Sequence, residues 1–251
     1  MPTDQNTFGL LSKAYSNARR GYPDELYEYL RNLIGNTNAV TIDLGCGTGI
    51  STRELKAHGF EVIGADKEQG MVAEALRETP DIPYVVAGAD SIPFESDHFD
   101  LCTAFTAFHW FNTELALTEI RRVLKNGGLF FAALKMNHKS EDTEGFRKGY
   151  QAIYRKYAGN TFSTLSDHDN REFLAKLFTN LTEKTFYVEE RYTVDEMLTL
   201  AQSLSLWNLV SDGNRPKMLQ ELRDFYEQHL IDGMVVRKQE IATVAATKAV
   251  A

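Results

Sequence analysis

Residues 40–52 read Val40-Thr41-Ile42-Asp43-Leu44-Gly45-Cys46-Gly47-Thr48-Gly49-Ile50-Ser51-Thr52. Val40, Ile42 and Leu44 alternate as a short buried strand, and a helical stretch runs from Ser51 through Lys56. Between them Gly45, Gly47 and Gly49 break the chain. A strand that turns through glycines into a helix makes a ligand cradle. Glycine accepts positive φ and lets a ligand approach the backbone. The helix start offers free N–H groups, and the opening lies at the carboxyl end of a strand, where α/β sheets bind ligands. Two nucleotide patterns fit poorly. The dinucleotide fingerprint G-x-G-x-x-G differs from Gly45-x-Gly47-x-Gly49, and no lysine follows these glycines as the phosphate loop requires. Asp43 in the mouth of the turn would repel a pyrophosphate and suits a ligand with a positive amine. The next apolar run, residues 61–66, ends in Asp66, where an acid takes ribose hydroxyls.

The chain has 251 residues, enough for one large or two small domains with a sizeable core. Its 43% hydrophobic and 25% charged residues are ordinary for a soluble globular protein. No apolar run nears the roughly 20 residues that span a bilayer. The start, MPTDQNTFGL, lacks the basic-then-apolar pattern of a secretory signal. A cytoplasmic protein without a membrane partner is expected. The net charge of −8, with no lysine- or arginine-rich block, argues against a nucleic-acid partner. Cys46 and Cys102 read as free thiols of a reducing compartment. No Cys/His cluster has zinc spacing, so no metal is expected.

Along the chain, residues 7–20 have mixed helical spacing, and Pro23 opens a helix with Leu26, Tyr29, Leu30 and Leu33 on one face. Residues 60–65 form a strand, followed after Asp66 by a helix with Met71, Ala75 and Leu76 inward. Residues 82–87 form a third strand. The fourth, from His98 through the run FDLCTAFTAFHWF, is nearly all apolar, as a central parallel strand buried on both faces should be. Asn112 reads as a helix cap before an amphipathic helix over residues 114–125 with Leu115, Leu117, Ile120, Val123 and Leu124. Asn126-Gly127-Gly128 ends that helix, and residues 129–134 make the fifth strand. Helices are then expected near 143–157 and 169–180, a strand at 184–192, helices at 194–205 and 217–230, and a closing strand at 234–245.

Taken together, Asp43-Leu44-Gly45-Cys46-Gly47-Thr48-Gly49, then Asp66, then Arg122-Val123-Leu124-Lys125-Asn126-Gly127-Gly128 resemble the class I S-adenosylmethionine-dependent methyltransferases. The resemblance is to the type 11 group of small-molecule enzymes, which includes the ubiquinone-biosynthesis type, and covers residues 8–135 well. It implies an α/β fold: a Rossmann-like, seven-stranded, doubly wound sheet, parallel with an antiparallel last strand. It implies an amino-terminal helical cover (1–36), a cofactor-binding core (37–135), a helical lid insertion (136–182) and a carboxyl-terminal part of the sheet (183–251). The cofactor implied is S-adenosylmethionine, leaving as S-adenosylhomocysteine.

Residue by residue, the resemblance assigns Asp43, Gly45, Cys46, Gly47, Asp66 and Phe105 to the cofactor. Lys67 and Met71 would flank the ribose and adenine. Many members carry an aspartate where this chain has Gly88. The adenine acceptor here becomes Asp90, with the backbone of Ala89 facing the ring. Tyr15, Arg19 and Tyr22 match the family's amino-terminal stretch, so that Arg19 would pair with the methionine carboxylate and Tyr15 and Tyr22 would reach the substrate. His109-Trp110, at the end of the fourth strand, resembles the trans-aconitate and juvenile-hormone-acid subset, which methylates carboxylates. His109 is the candidate base and, with Trp110, a substrate contact. Tyr154 and Phe162 would bring aromatic surface from the lid. The function expected is methyl transfer to a small-molecule acceptor, a carboxylate or phenol oxygen, by a monomer or homodimer. An RNA or protein methyltransferase, a non-catalytic cofactor-binding module and a nicotinamide-dependent oxidoreductase stay open.

Overall fold

The computed structural model describes residues 19–35, 38–138, 141–159 and 171–250. The helical reading of residues 7–20 lies outside them, apart from Arg19 and Arg20, which are irregular. Tyr15 and Phe162 also fall outside the described residues.

The chain forms helix α1 (Asp24–Ile34), strand β1 (Val40–Leu44), α2 (Ile50–Ala57), β2 (Glu61–Asp66), α3 (Gln69–Glu78), β3 (Tyr84–Val86), β4 (Phe99–Phe105), α4 (Glu114–Val123) and β5 (Leu124–Asn137). After these come α5 (Glu141–Ala158), α6 (Arg171–Leu177), β6 (Thr179–Tyr192), α7 (Val194–Gln202), α8 (Arg215–Glu227), β7 (Leu230–Ile231) and β8 (Met234–Thr247). The sheet order is β3-β2-β1-β4-β5-β8-β6, with β7 paired to β8. β1 pairs in parallel with β2 and β4, and β4 with β5. Gly127 N–H donates to Lys248 O at 3.0 Å and Lys248 N–H to Gly128 O at 2.9 Å, so that two residues face one across an antiparallel pair, as at a bulge with glycine at φ +78°. The expected α/β sheet with antiparallel final strands is therefore present. It holds an eighth strand, the two-residue β7.

The chain winds outward from β1 to β3, then returns to β4 on the other side of β1. This reversal is the switch point at which open α/β sheets bind ligands. β1 and β4 are buried on both faces: Ile42, Phe99, Leu101, Cys102 and Ala104 are all fully buried. That double burial explains why β4 lacks alternation. α4 closes one face with Leu117, Ile120 and Val123, each worth roughly 1.5–3 kcal/mol on burial.

Several local expectations shift. In α1 the buried aromatic is Tyr27, with Leu26 and Leu30, not Tyr29. In α3 Val72 and Ala75 face inward, while Leu76 is exposed. Leu115 is exposed at the start of α4, and the cap is Thr113, which accepts from Ala116 N–H, not Asn112. α4 stops at Val123, so residues 124–128 belong to β5. α6 is shorter than expected, and β6 begins at Thr179.

By contacts the described residues divide into two compact units. The larger holds residues 21–135, 171–186 and 241–250. The smaller holds 19–20, 136–159 and 187–240. α1, read from sequence as part of a separate cover, packs within the larger unit. The smaller unit has its own core, built on Tyr154, Tyr226, Met197, Leu222, Trp207 and Val235.

Candidate active site

The glycine loop leaves β1 with Gly45, Gly47 and Gly49 at φ +68°, +55° and +81°. At Gly45 glycine is needed twice over, because a Cβ there would also sit 2.6 Å from the Ala107 Cβ. At Gly47 a Cβ would meet nothing within 4 Å, which leaves that face of the backbone open. Gly45→Ala should therefore cost about 2–4 kcal/mol, combining left-handed strain with overpacking. Thermal unfolding should show a fall of roughly 5–15 °C. Gly47→Ala, with strain but no overlap, should lose about half as much or less. Equal losses would remove the close approach to Ala107 as a cause.

Asp66 braces the loop. Gly47 N–H donates to its Oδ2 at 2.9 Å and Glu68 N–H to its Oδ1 at 2.9 Å. Cys46 N–H bonds Ala65 O at 3.0 Å, which ties the loop to β2. The Cys46 thiol is buried and held well above its ordinary pKa by burial, then by Asp43 and Asp66. It stays protonated at neutral pH.

Asp43 does not face the opening. Its side chain is fully buried, Oδ2 accepts from Ser51 Oγ and Thr52 Oγ1, both at 2.7 Å, and Oδ1 accepts from Thr103 Oγ1 at 2.9 Å. The role expected for it, attracting a positive amine, gives way to tying β1 to α2 and β4. Burial pushes its pKa up to about 6, against the pull of the three hydroxyls.

At the carboxyl end of β4, Phe105 is buried in an aromatic cluster. Its ring centroid lies 4.8 Å from Tyr22, 5.7 Å from Tyr27 and 6.0 Å from Phe131. Thr106 follows at φ +49°, a conformation rare for a β-branched residue and a mark of functional sites. Its Oγ1 lies 2.6 Å from the Tyr22 hydroxyl. Glu54 on α2, which the sequence did not single out, accepts from Tyr27 OH at 2.6 Å and Tyr22 N–H at 3.1 Å. Burial raises its pKa. Lys135 donates to Gly21 O and stands over the Tyr22 ring. No spacing rule marks Glu54, since its partners lie 27 and 32 residues upstream.

Residues 42–132 match the family model described as a methyltransferase domain. A protein named as a methyltransferase in Dictyostelium discoideum is 27% identical over 229 residues, covering 86% of this chain and 83% of its own. The fold matches a solved structure named for a type II methyltransferase of Anaeromyxobacter dehalogenans, with TM-score 0.64, 21% identity and coverage of 92% and 97%. It also matches Haemonchus contortus phosphoethanolamine N-methyltransferase 2, solved with S-adenosylmethionine, with TM-score 0.54, 19% identity and coverage of 95% and 56%.

Residues 42–132 of the chain are a methyltransferase domain.

In this methyltransferase the larger unit gathers the loop, Asp66, Phe105, Tyr22 and the β4 end. Met71 is partly buried on α3, Lys67 and Asp90 are exposed, and Ala89 is buried. His109 and Trp110 sit in a 3-10 turn, Phe108–Trp110. His109 is partly buried, its Nδ1 lacks a hydrogen-bond partner, and burial lowers its pKa. Trp110 is 72% exposed, its ring 4.9 Å from that of His109. Arg19 and Tyr154 fall in the smaller unit, so the larger unit alone does not bring them to the loop. Tyr154 is 1% exposed, and the structure puts it in that unit's core, not on an open wall.

Proposed function

We propose that this methyltransferase moves the methyl group of S-adenosylmethionine to an oxygen of a small molecule, a carboxylate or a phenol, in a pocket that works by positioning. The observation that carries the reading is the end of β4, where a half-buried His109 with an unpartnered Nδ1 stands beside an exposed Trp110. Sulfonium is already a good leaving group. An acceptor oxygen attacks the methyl carbon, the carbon–sulfur bond breaks, and S-adenosylhomocysteine departs. The protein's part is to align the two and keep water out. A carboxylate is ionised at neutral pH and needs no base. A phenol gives up its proton, and a neutral imidazole is suited to take it. Because burial lowers the His109 pKa, that imidazole is neutral near pH 7.

The donor is S-adenosylmethionine, as in the Haemonchus enzyme. Asp66 would take the ribose hydroxyls, Gly45, Cys46 and Gly47 would line the sulfonium side, and Lys67 and Met71 would flank ribose and adenine. The adenine amino group falls to Asp90, beside the Ala89 backbone. A Cβ on Gly88 would lie 2.5 Å from Asp90 Oδ1, so the carboxylate stands where a side chain from position 88 would begin. Arg19 is assigned to the methionine carboxylate, and Tyr22 and Trp110 to the acceptor. Among the described residues no helix is long and apolar enough to cross a membrane.

The test is release of S-adenosylhomocysteine against a panel of small acids and phenols. His109→Ala should lower kcat on a phenol by about 10²- to 10⁴-fold and leave a carboxylate acceptor nearly untouched. A variant that keeps full activity on a phenol would remove His109 as the base. Cofactor binding without turnover on any acceptor would point to a non-catalytic module.

A further inference from the structure

We propose that Arg237, in the smaller unit, seats an oxyanion, the carboxylate or phosphate monoester of a small molecule. Arg237 lies on β8 and is partly buried. Its Nη2 donates to Asn137 Oδ1 at 2.9 Å. In the same unit Arg20 pairs with Glu196, Arg191 with Glu189, Arg215 with Asp212 and Arg223 with Asp195. Arg237 forms no ion pair with any acid among the described residues. Its hydrogen-bond partners are neutral amides. Asn137, the last residue of β5, donates to the Tyr150 hydroxyl at 2.6 Å. Gln239 is buried beside Asn137, and with its amide turned over its oxygen accepts from Arg237 at 3.1 Å. The guanidinium also acts on three buried phenols, Tyr154, Tyr192 and Tyr226, lowering the pKa that burial raises in each. Glu190, a buried acid of this unit, accepts from the Tyr192 hydroxyl at 2.9 Å.

A charge taken partly out of water and hydrogen-bonded only to amides is costly unless an opposite charge pairs with it. The other N–H groups of Arg237 carry no hydrogen bond, and none is sealed from solvent. They offer the planar fork that fits two oxygens of a carboxylate or phosphate.

The test is calorimetric titration of the full chain, at fixed ionic strength, with succinate, citrate and glycerol 3-phosphate. Binding of at least one carboxylate or of the phosphate ester is expected, weakened tenfold or more in Arg237→Gln. Arg237→Lys should recover part of it, and the exposed neighbour Lys238→Gln should leave it unchanged. S-adenosylhomocysteine binding should persist in Arg237→Gln, which shows that the variant is folded. The proposal is overturned if wild type binds none of the probes, or if Arg237→Gln binds them equally well.

Discussion

Asp66→Ala is expected to weaken S-adenosylmethionine and S-adenosylhomocysteine by at least about 100-fold in a calorimetric titration. Two losses add. Hydrogen bonds to a charged group are worth roughly 1.5–3 kcal/mol, and Asp66 would lose those to the ribose. It would also release the Gly47 N–H, now held at 2.9 Å, and with it the shape of the loop. Asp66→Asn separates this account from simple removal of charge. Both carboxylate oxygens accept from backbone N–H groups, those of Gly47 and Glu68. An amide has one oxygen and must turn its NH2 toward one of these donors. Asn should therefore fall within about tenfold of Ala, although it is nearly isosteric. If Asn bound the cofactor like wild type, the bracing of the loop by both oxygens would be excluded as its role.

The loop was legible because everything that defines it is local: three glycines at alternate positions after a short apolar strand, with an acid at the end of the next one. β4 was legible for the opposite reason, since a run without polar positions suits a strand covered on both faces. The direction of Asp43 was not legible. Two of its partners, Ser51 and Thr52, lie eight and nine residues ahead and the third, Thr103, sixty residues ahead. Helix faces were read to within one step. Tyr27 and Tyr29 both fit an apolar stripe, and only packing chooses between them. Asn112 and Thr113 are both good caps, and backbone geometry decides. The start of β6 was missed because residues 179–185 are mostly exposed and polar, so no alternation announces the strand. The smaller unit was hidden because it joins residues 136–159 to 187–240, and no composition shift marks either join. Arg237 lacked any motif, and its interest comes from what the fold leaves unpaired around it.

Asp43→Asn is expected to flatten the stability of the enzyme between pH 4 and pH 7. Asp43 is pushed from 3.8 up to about 6 in the folded chain, chiefly by burial. Between those values the folded state holds a proton that the unfolded chain releases. Stability from this group is thus complete below about pH 4 and is lost as pH rises through 6. The full extent is about 3 kcal/mol. Asn carries no such proton, so the gap between wild type and variant, measured by denaturant unfolding at each pH, should move by about that amount in the variant's favour. Glu54, also raised, and Glu119, Glu196 and Glu221, all lowered, titrate in both proteins and cancel in the difference. Asn can serve here because its neighbours are hydroxyls. Ser51, Thr52 and Thr103 can donate to its oxygen or accept from its NH2. Asp43→Ala, by contrast, strands two buried hydroxyls, those of Ser51 and Thr52, at about 1–3 kcal/mol each. The Thr103 Oγ1 keeps a partner in Ile42 O at 3.5 Å. The alanine variant should unfold more than 10 °C lower, or fail to fold. An Asn variant that tracks wild type at every pH would move the titrating proton to another group. Asp43 would then be a brace between β1, α2 and β4 whose charge is held at no cost.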